Sequence, residues 1–342
     1  MEKSIRLSDH FSYSKLLRFT LPSIVMMVFT SIYGVVDGLF VSNFVGKTAF
    51  ASVNLVMPFV MILGGMGFML GTGGTALVSK ILGEGDPDSA NRTFSMMVLF
   101  TLALGAVLSA AGIVFMRPVS RFLGATDAMM DDCVLYGRIV TGFTFAFMLQ
   151  NVFQSFFIAA EKPKLGLKVT VAAGLTNMVL DALFIAVFKW GVAGAATSSV
   201  LSRGTAAVVI TILLLNPEHT VSLRGGSRFR PDGGLIGRIL QIGVPNGLEN
   251  SLFQLGRVLV VSMISLFGTT QITANALANN LDAVAVIPGQ AMSLAIITVI
   301  GQCIGAGDEK QCKFMAKKLM KITYAVTAST CIVTIALTPL IL

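Results

Sequence analysis

The chain has 342 residues, of which 54% are hydrophobic and only 12% are charged, and its mean hydropathy is +0.81. A soluble globular domain carries about 25% charged residues, so this composition excludes an ordinary water-soluble protein. It indicates that the chain is embedded in a lipid bilayer. The net charge of +8 does not indicate nucleic-acid binding, because the basic residues lie between apolar runs rather than on a polar face.

Apolar runs long enough for membrane-spanning helices follow one another along the chain. The hydrocarbon core of a bilayer takes about 20 residues of helix, and a backbone in lipid has to satisfy its own hydrogen bonds. The alternating segments typical of a membrane β-barrel are missing from the sequence. We therefore predict an all-α polytopic membrane protein with about nine spans, at 19–44, 50–79, 94–116, 139–160, 169–188, 191–215, 239–267, 270–303 and 322–342.

Lysine and arginine residues are divided unequally between alternate loops. With the N-terminus inside, the inside segments hold 18 of the 25 basic residues, the outside segments hold 5, and Arg203 and Arg257 fall within spans. Basic residues are retained on the cytoplasmic side of a membrane. The basic segment 1–18 lacks the features of a cleavable signal peptide. We predict a multi-pass protein of a bacterial-type inner cell membrane, with its N-terminus in the cytoplasm.

Part of the chain repeats at an offset of about 222 residues. The stretch ILGEGD at 81–86 is similar to CIGAGD at 303–308, and Pro22 matches Pro245 near the start of a long helix. Internal duplication is common among transporters. The predicted organisation is a cytoplasmic segment at 1–18, a six-helix N-lobe at 19–215, a cytoplasmic linker at 216–234 and a partial, three-helix C-lobe at 235–342.

The glycines are interpreted as packing and capping positions. The glycine-rich stretch 64–74 lies within a span and follows no strand, which argues against a nucleotide-binding loop. Within it, Gly67 and Gly71 are spaced for close helix packing. Two glycines are predicted to stop helices ahead of capping aspartates, Gly83 before Asp86 and Gly305 before Asp308.

Polar residues in the first predicted bundle converge on its outer half. A rise of 1.5 Å per residue places Asp37 roughly 27 Å and Asp181 about 18 Å above the inner edge of the membrane. Asn177 lies one helical turn before Asp181, and Thr197 lies about 9 Å below the outer edge. Such oxygen ligands suit a proton or a sodium ion. Hydrogen bonding between helices is the alternative interpretation, and no other cofactor is expected.

A second polar group lies in the predicted C-lobe. Glu249 and Asp282 lie about 15 Å and about 12 Å from the inner edge, with Asn250 and Asn279 at similar depths. Two carboxylates at one level share a proton, bind a cationic substrate or pair with an arginine. Arg203 is expected to neutralise a carboxylate.

No enzyme is predicted from this sequence. Its two histidines, His10 and His219, fall in predicted cytoplasmic segments, and the four cysteines have neither metal-ligand nor redox spacing. A phosphate loop and a nucleophile elbow are also missing from the sequence.

Taken together, these motifs resemble the multidrug and toxic compound extrusion (MATE) transporters, within the multidrug, oligosaccharidyl-lipid and polysaccharide flippase superfamily. The resemblance covers essentially the whole chain. It rests on YGVVDGLFVSNFVG at 33–46 with Pro22, ILGEGD at 81–86, NMVLDALFI at 177–185, WGVAGAATSS at 190–199 and VPNGLENSLFQ at 244–254.

The resemblance implies two six-helix bundles around a central cavity. It implies an antiporter that exports cationic amphipathic drugs in exchange for sodium ions or protons, and so contributes to antibiotic resistance. We expect the chain to be a monomer. Because the family has twelve spans, a nine-span chain is expected to have an incomplete C-lobe, as a fragment or a truncated relative. The resemblance places Asp37, Asn177, Asp181 and Thr197 in the N-lobe cation site, and assigns a coupling role to Glu249.

Two alternatives remain open from the sequence. One is a flippase for lipid-linked sugars, in which basic residues line the cavity to hold pyrophosphate. The acidic residues within the spans outnumber the basic ones by four to two, which favours a cationic cargo. The other alternative is a truncated fragment that does not transport.

Overall fold

A computed structural model describes residues 13–159, 163–214, 233–265, 286 and 289–341. These residues form α-helices and two π-helical turns, and they include no β-strand. The π-helical turn Val41–Val45 continues α1, and the turn Ala182–Val187 continues α6. In chain order the helices are α1 (Tyr13–Phe40), α2 (Lys47–Gly83), α3 (Pro87–Phe122), α4 (Asp127–Gly142), α5 (Thr144–Ala159), α6 (Pro163–Asp181), α7 (Gly191–Leu214), α8 (Gly233–Ser265), α9 (Gly289–Gly305) and α10 (Glu309–Ile341).

Several of these helices are suited to a membrane. Within the described ranges, five are long and apolar enough to span it, and the pair α4 and α5 makes a sixth if it counts as one bent span. The prediction of an all-α polytopic membrane protein is therefore confirmed. Helices α1, α8 and α9 lie at the three other predicted spans, although most of 270–288 falls outside the described residues. The count of nine spans stays a prediction.

The predicted bounds of the fourth span, 139–160, were wrong. Helix α4 begins at Asp127, and the chain bends by 54° between α4 and α5 before α5 ends at Ala159. The acidic residues in the first two turns of α4 hide this helix from a search for apolar runs. At the bend, Thr144 donates its hydroxyl hydrogen to the carbonyl oxygen of Thr141, at the interrupted end of α4.

Close packing of α2 against α5 depends on the predicted glycines. A Cβ atom placed on Gly67 would lie 2.5 Å from Met148 Cα, and one on Gly71 would lie 3.0 Å from Val152 Cα. Lipid offers no hydrophobic driving force between helices, so small residues that let backbones approach supply much of the van der Waals attraction. The predicted packing role of Gly67 and Gly71 is confirmed.

The two copies of the repeated motif pack against each other. A Cβ atom on Gly83 would overlap with the carbonyl oxygen of Gln302 on α9, and one on Gly305 would overlap with the carbonyl oxygen of Lys80 on α2. Gly305 follows Gly83 by 222 positions, and Gln302 follows Lys80 by the same number. The two contacts are therefore the same contact seen from either copy.

A third contact marks the centre of this crossing. A Cβ atom on Gly301 would lie 2.9 Å from Ser79 Cβ, and these two residues are also 222 positions apart. Reciprocal contacts around a self-paired position are what two copies of one unit make across a two-fold axis. The structure thus supports the predicted duplication.

The helix-stop prediction needs one correction. Asp86 and Asp308 do cap helices, because they accept hydrogen bonds from the backbone N–H groups of Ser89 and Gln311 at 3.0 and 2.9 Å. The hydrogen bond from Ser89 lowers the pKa of the exposed Asp86 carboxyl. The left-handed backbone positions that end the helices are, however, Gly85 and Gly307, with φ angles of 84° and 74°. Gly83 and Gly305 are required instead by the close helix crossing.

Helix α2 also contacts α8, the first helix of the predicted C-lobe. A Cβ atom on Gly73 would overlap with the carbonyl oxygen of Ile239, and one on Gly243 would overlap with that of Met69. Nearby, Asn246 donates a hydrogen bond of 3.2 Å to the hydroxyl of Thr72. One long helix, α2, therefore joins α5 in its own lobe to α8 and α9 across the interface.

We predict that Gly67→Val destabilises the protein, because a branched side chain in a backbone contact forces α2 and α5 apart. Overpacking of this kind costs about 1–3 kcal/mol, so the melting temperature of the purified protein in detergent is expected to fall by several degrees. The matched control is Gly65→Val, at a position on the same helix where nothing lies within 4 Å of an added Cβ. Equal melting temperatures for the two variants would contradict the packing role.

Candidate functional site

Two aspartates lie on neighbouring helices just before the two π-helical turns. Asp37 is in the last turn of α1, Asp181 ends α6, and α1 packs along α6. Asp181 is fully buried and Asp37 is 9% exposed. The following turns, Val41–Val45 and Ala182–Val187, contact each other. Single π-helical turns occur frequently at functional sites, and two of them beside a buried pair of carboxyl groups mark this region as a candidate site.

The two carboxyl groups have too few hydrogen-bond donors around them. Ser198 donates its hydroxyl hydrogen to Asp181 Oδ1. Asp181 Oδ2 and Asp37 Oδ1 are buried and accept no hydrogen bond in the described part of the chain. The two side chains are close enough to hydrogen-bond to each other once one of them carries a proton. Because a buried carboxylate without a donor is costly, the geometry favours a proton or a cation at this pair.

The other two predicted members of the site, Asn177 and Thr197, differ in their hydrogen bonding. Asn177 lies one turn before Asp181 on α6, is buried, and its amide nitrogen has no hydrogen-bond partner among the described residues. Rotation of this amide would present its oxygen in the same place. Thr197 is half-buried on α7 and donates its hydroxyl hydrogen to the carbonyl oxygen of Ala193 at 2.7 Å. That contact leaves the oxygen lone pairs of Thr197 free to accept.

Ser198 was missed in the sequence interpretation. It follows Thr197 directly, is fully buried, and is the hydroxyl that contacts Asp181. Depth along a helix does not distinguish two neighbouring hydroxyl residues, which point about 100° apart. The missing information was the direction in which α7 faces α6.

Two further side chains complete the electrostatic surroundings of the pair. Tyr136 of α4 is 2% exposed, and its phenol interacts electrostatically with both Asp37 and Asp181. The positive charge of Arg203 on α7 acts on Asp37, and the expectation that Arg203 neutralises a carboxylate stays a prediction. Its guanidinium carbon lies 4.1 Å from the centre of the Phe147 ring. The sequence interpretation had overlooked Tyr136, because nothing in a predicted span marks a tyrosine as facing two acids.

A tight turn fixes α6 against α7 and so brings Asp181 to Ser198. Lys189 and Gly191 both have left-handed backbone conformations, with φ angles of 54° and 61°. The indole of Trp190 stacks on the Phe184 ring with centroids 4.8 Å apart. The backbone N–H of Trp190 donates a hydrogen bond of 2.9 Å to the carbonyl oxygen of Phe184. These contacts reverse the chain within a few residues of the carboxylates.

Of the four predicted C-lobe residues, two lie on the described part of α8. Glu249 and Asn250 are exposed on α8, three and four residues beyond Asn246, which contacts α2. They therefore lie about one helical turn beyond the contact with α2, in the direction of the predicted outer half of the membrane. Asn279 and Asp282 lie outside the described residues.

The composition of the N-lobe cluster constrains what it binds. No group of three or more histidine, cysteine or acidic side chains able to hold a metal ion occurs among the residues that the structure describes. The cluster instead combines two carboxyl groups with neutral oxygens and one arginine. Such a set suits a proton or a single sodium ion better than a divalent metal, which prefers more carboxylate charge.

Comparison with known proteins places this site in a wider context. Residues 22–183 and 245–342 match the family model MatE. The chain is 25% identical over 300 residues to the probable multidrug resistance protein YpnP of Bacillus subtilis, covering 87% of this chain and 66% of that protein. It is 24% identical over 310 residues to the FAD transporter of Shewanella oneidensis, covering 87% and 66%. The chain thus spans about two thirds of the length of these relatives.

The fold also matches a solved structure, an outward-facing conformation of a multidrug resistance MATE family transporter. The TM-score is 0.91 at 20% sequence identity, with 99% of this chain and 75% of that chain covered. At this level of identity the match establishes the fold alone. Since the family model matches more than half of the sequence, and the described helices superimpose on a solved member, the chain belongs to the MATE family of transporters.

Proposed function

We propose that the chain acts as a secondary antiporter that exports cationic amphipathic compounds in exchange for sodium ions or protons. The observation that carries the proposal is the buried pair Asp37 and Asp181, in which one oxygen of each carboxyl accepts no hydrogen bond. A pair of this kind is stabilised when a monovalent cation binds and is destabilised when the cation leaves. The site therefore responds strongly to the presence of a cation.

Alternating access would couple this site to the movement of substrate. The crossing of α2 with α9 lies at the ends of these helices that are predicted to face the cytoplasm, and the contact of α2 with α8 lies in the same predicted half of the membrane. Separation of these contacts would open the space between the lobes to that side. A cation that binds one arrangement more tightly than the other shifts the equilibrium between them by its difference in affinity.

Exposed polar residues on α8 support a cationic cargo. Glu249 lies on the side of α8 that borders the interface between the lobes and remains exposed there. It offers a negative charge to a substrate that enters between them. The similarity to a relative named as an FAD transporter favours a second candidate, an anionic nucleotide cargo.

We predict that Asp37→Asn abolishes gradient-driven efflux of ethidium from proteoliposomes while the protein still inserts in the membrane. The amide cannot be charged, so neither sodium nor a proton is bound as before. The measurement is dye efflux driven first by a sodium gradient and then by a proton gradient, with FAD-loaded vesicles as a parallel sample. Asp131→Asn, at an exposed position on α4, is the matched control and is expected to transport normally.

Retained efflux in Asp37→Asn would contradict the coupling role of the pair. Gradient-driven release of FAD without release of ethidium would instead support the nucleotide cargo. If the wild-type chain moved neither compound under either gradient, the antiporter proposal would fail.

A second prediction concerns stability. Binding of a cation to the native state alone stabilises it by about 2.7 kcal/mol when the concentration is about 100 times the dissociation constant. If sodium is the coupling ion, the melting temperature of the wild-type protein is expected to rise when choline is replaced by sodium. If the proton is the coupling ion, the melting temperature is expected to rise on mild acidification. In Asp181→Asn this rise should disappear, whereas in Asp131→Asn it should persist. An equal rise in all three proteins would show that the ions act elsewhere.

A third prediction concerns the α2–α9 crossing. Gly305→Leu places a side chain in a backbone contact and should favour arrangements open to the predicted cytoplasmic side. The reporter is Ser79→Cys in a protein without native cysteines, labelled with a membrane-impermeant maleimide from that side. Labelling should be faster with Gly305→Leu, and unchanged with Gly256→Leu, where an added Cβ meets nothing within 4 Å. Unchanged labelling in Gly305→Leu would show that this crossing does not close the space between the lobes on the predicted cytoplasmic side.

A further inference from the structure

We propose that Arg203 is a resident cation of the carboxylate cluster, whose fixed charge limits the cluster to one exchangeable monovalent cation at a time. The inference rests on the proposed cation coupling and extends it to the number of ions. It assigns to Arg203 a positioning role, since the guanidinium acts on the bound ion through the two carboxylates.

The charges around the pair carry the first part of the argument. The charged and titratable groups that face it from the described helices are Asp37 on α1, Tyr136 on α4, Asp181 on α6 and Arg203 on α7. An arginine side chain keeps its charge at any physiological pH, and the tyrosine is neutral. With both carboxylates ionised, the cluster carries one net negative charge, and one monovalent cation neutralises it.

Because the carboxylates are buried, the net charge of the cluster has a large effect on its stability. The two aspartates are almost inaccessible to solvent, and an uncompensated charge in such a place is strongly unfavourable. A second cation would leave the cluster with a net positive charge next to a guanidinium, at the same kind of cost. The native cluster is therefore balanced with a single bound cation and unbalanced with none or two.

The position of Arg203 explains why it does not simply fill the site. Its guanidinium lies over the Phe147 ring at 4.1 Å, within the range of a cation–π interaction. Within the described part of the chain, it forms no ion pair of 4 Å or less with either aspartate. The aromatic ring thus holds the resident charge close enough to act on Asp37, yet leaves the unpartnered oxygens available to an incoming ion.

Two variants are expected to shift cation affinity in opposite directions. Arg203→Gln removes the competing positive charge, so sodium should bind about tenfold more tightly. Phe147→Leu removes the ring that holds the guanidinium away from the carboxylates, so sodium should bind several-fold more weakly. Arg203→Lys keeps the charge and should stay within about threefold of the wild type. A general loss of structure would weaken binding in all three variants.

The chain provides its own reporter for this measurement. Its single tryptophan, Trp190, stacks on Phe184 and lies between the π-helical turn Ala182–Val187 and α7. Trp190 fluorescence of the purified full chain is titrated with sodium chloride against choline chloride, and separately by pH in the absence of sodium. In parallel, proteoliposomes with opposed ion and ethidium gradients are brought to zero net flux, which gives the number of ions exchanged per dye molecule.

The proposal predicts that Arg203→Gln exchanges one more cation per dye molecule than the wild type, whereas Arg203→Lys keeps the wild-type ratio. Wild-type binding with unchanged affinity and an unchanged ratio in Arg203→Gln would overturn the role of Arg203 while leaving the antiporter proposal intact. A wild-type protein whose fluorescence responds to neither sodium nor pH would instead contradict the coupling site itself.

Discussion

The need to neutralise two carboxylates buried side by side is the constraint on which the rest of the N-lobe depends. Asp37 and Asp181 are held together by the packing of α1 along α6, and by two π-helical turns in contact with each other just beyond them. Ser198 satisfies one oxygen, Arg203 supplies one positive charge, and two oxygens are left without a donor. Two buried carboxylate oxygens without donors are costly, and a further positive charge would offset this cost. This balance of charge is the basis of the proposed cation coupling.

Small residues determine how the helices around this cluster are arranged. Helices in lipid gain nothing from hiding apolar surface from one another, so their association depends on close backbone approach and on polar links. Helix α2 uses glycines for close approach on two sides, with Gly67 and Gly71 against α5 and Gly83 against α9. The same helix thus stabilises one lobe and joins it to the next. Contacts made mainly by glycine backbones leave few interlocked side chains at this interface.

Much of the architecture followed from the sequence because lipid imposes simple rules. Hydropathy and helix rise predicted the helices, and the 222-residue offset predicted a duplication that appears in space as the reciprocal contacts of Gly83 and Gly305. Depth also grouped Asp37 with Asp181. The bend between α4 and α5 could not be predicted in this way, since it depends on local backbone geometry at Phe143 rather than on composition.

By itself, then, the sequence determined the solvent of the protein, its class, its repeat and the polar residues that are too costly in a membrane to lack a role, because these follow from residue type and spacing along one chain. The tertiary structure decided which neighbours those residues meet. Only the packing of α7 against α6 selected Ser198 beside Thr197, and only the approach of α4 and α5 brought Tyr136 and the Phe147–Arg203 stack to the aspartates. Rotation of a helix about its axis leaves its hydropathy unchanged, so the identity of the facing side chains is set by packing alone.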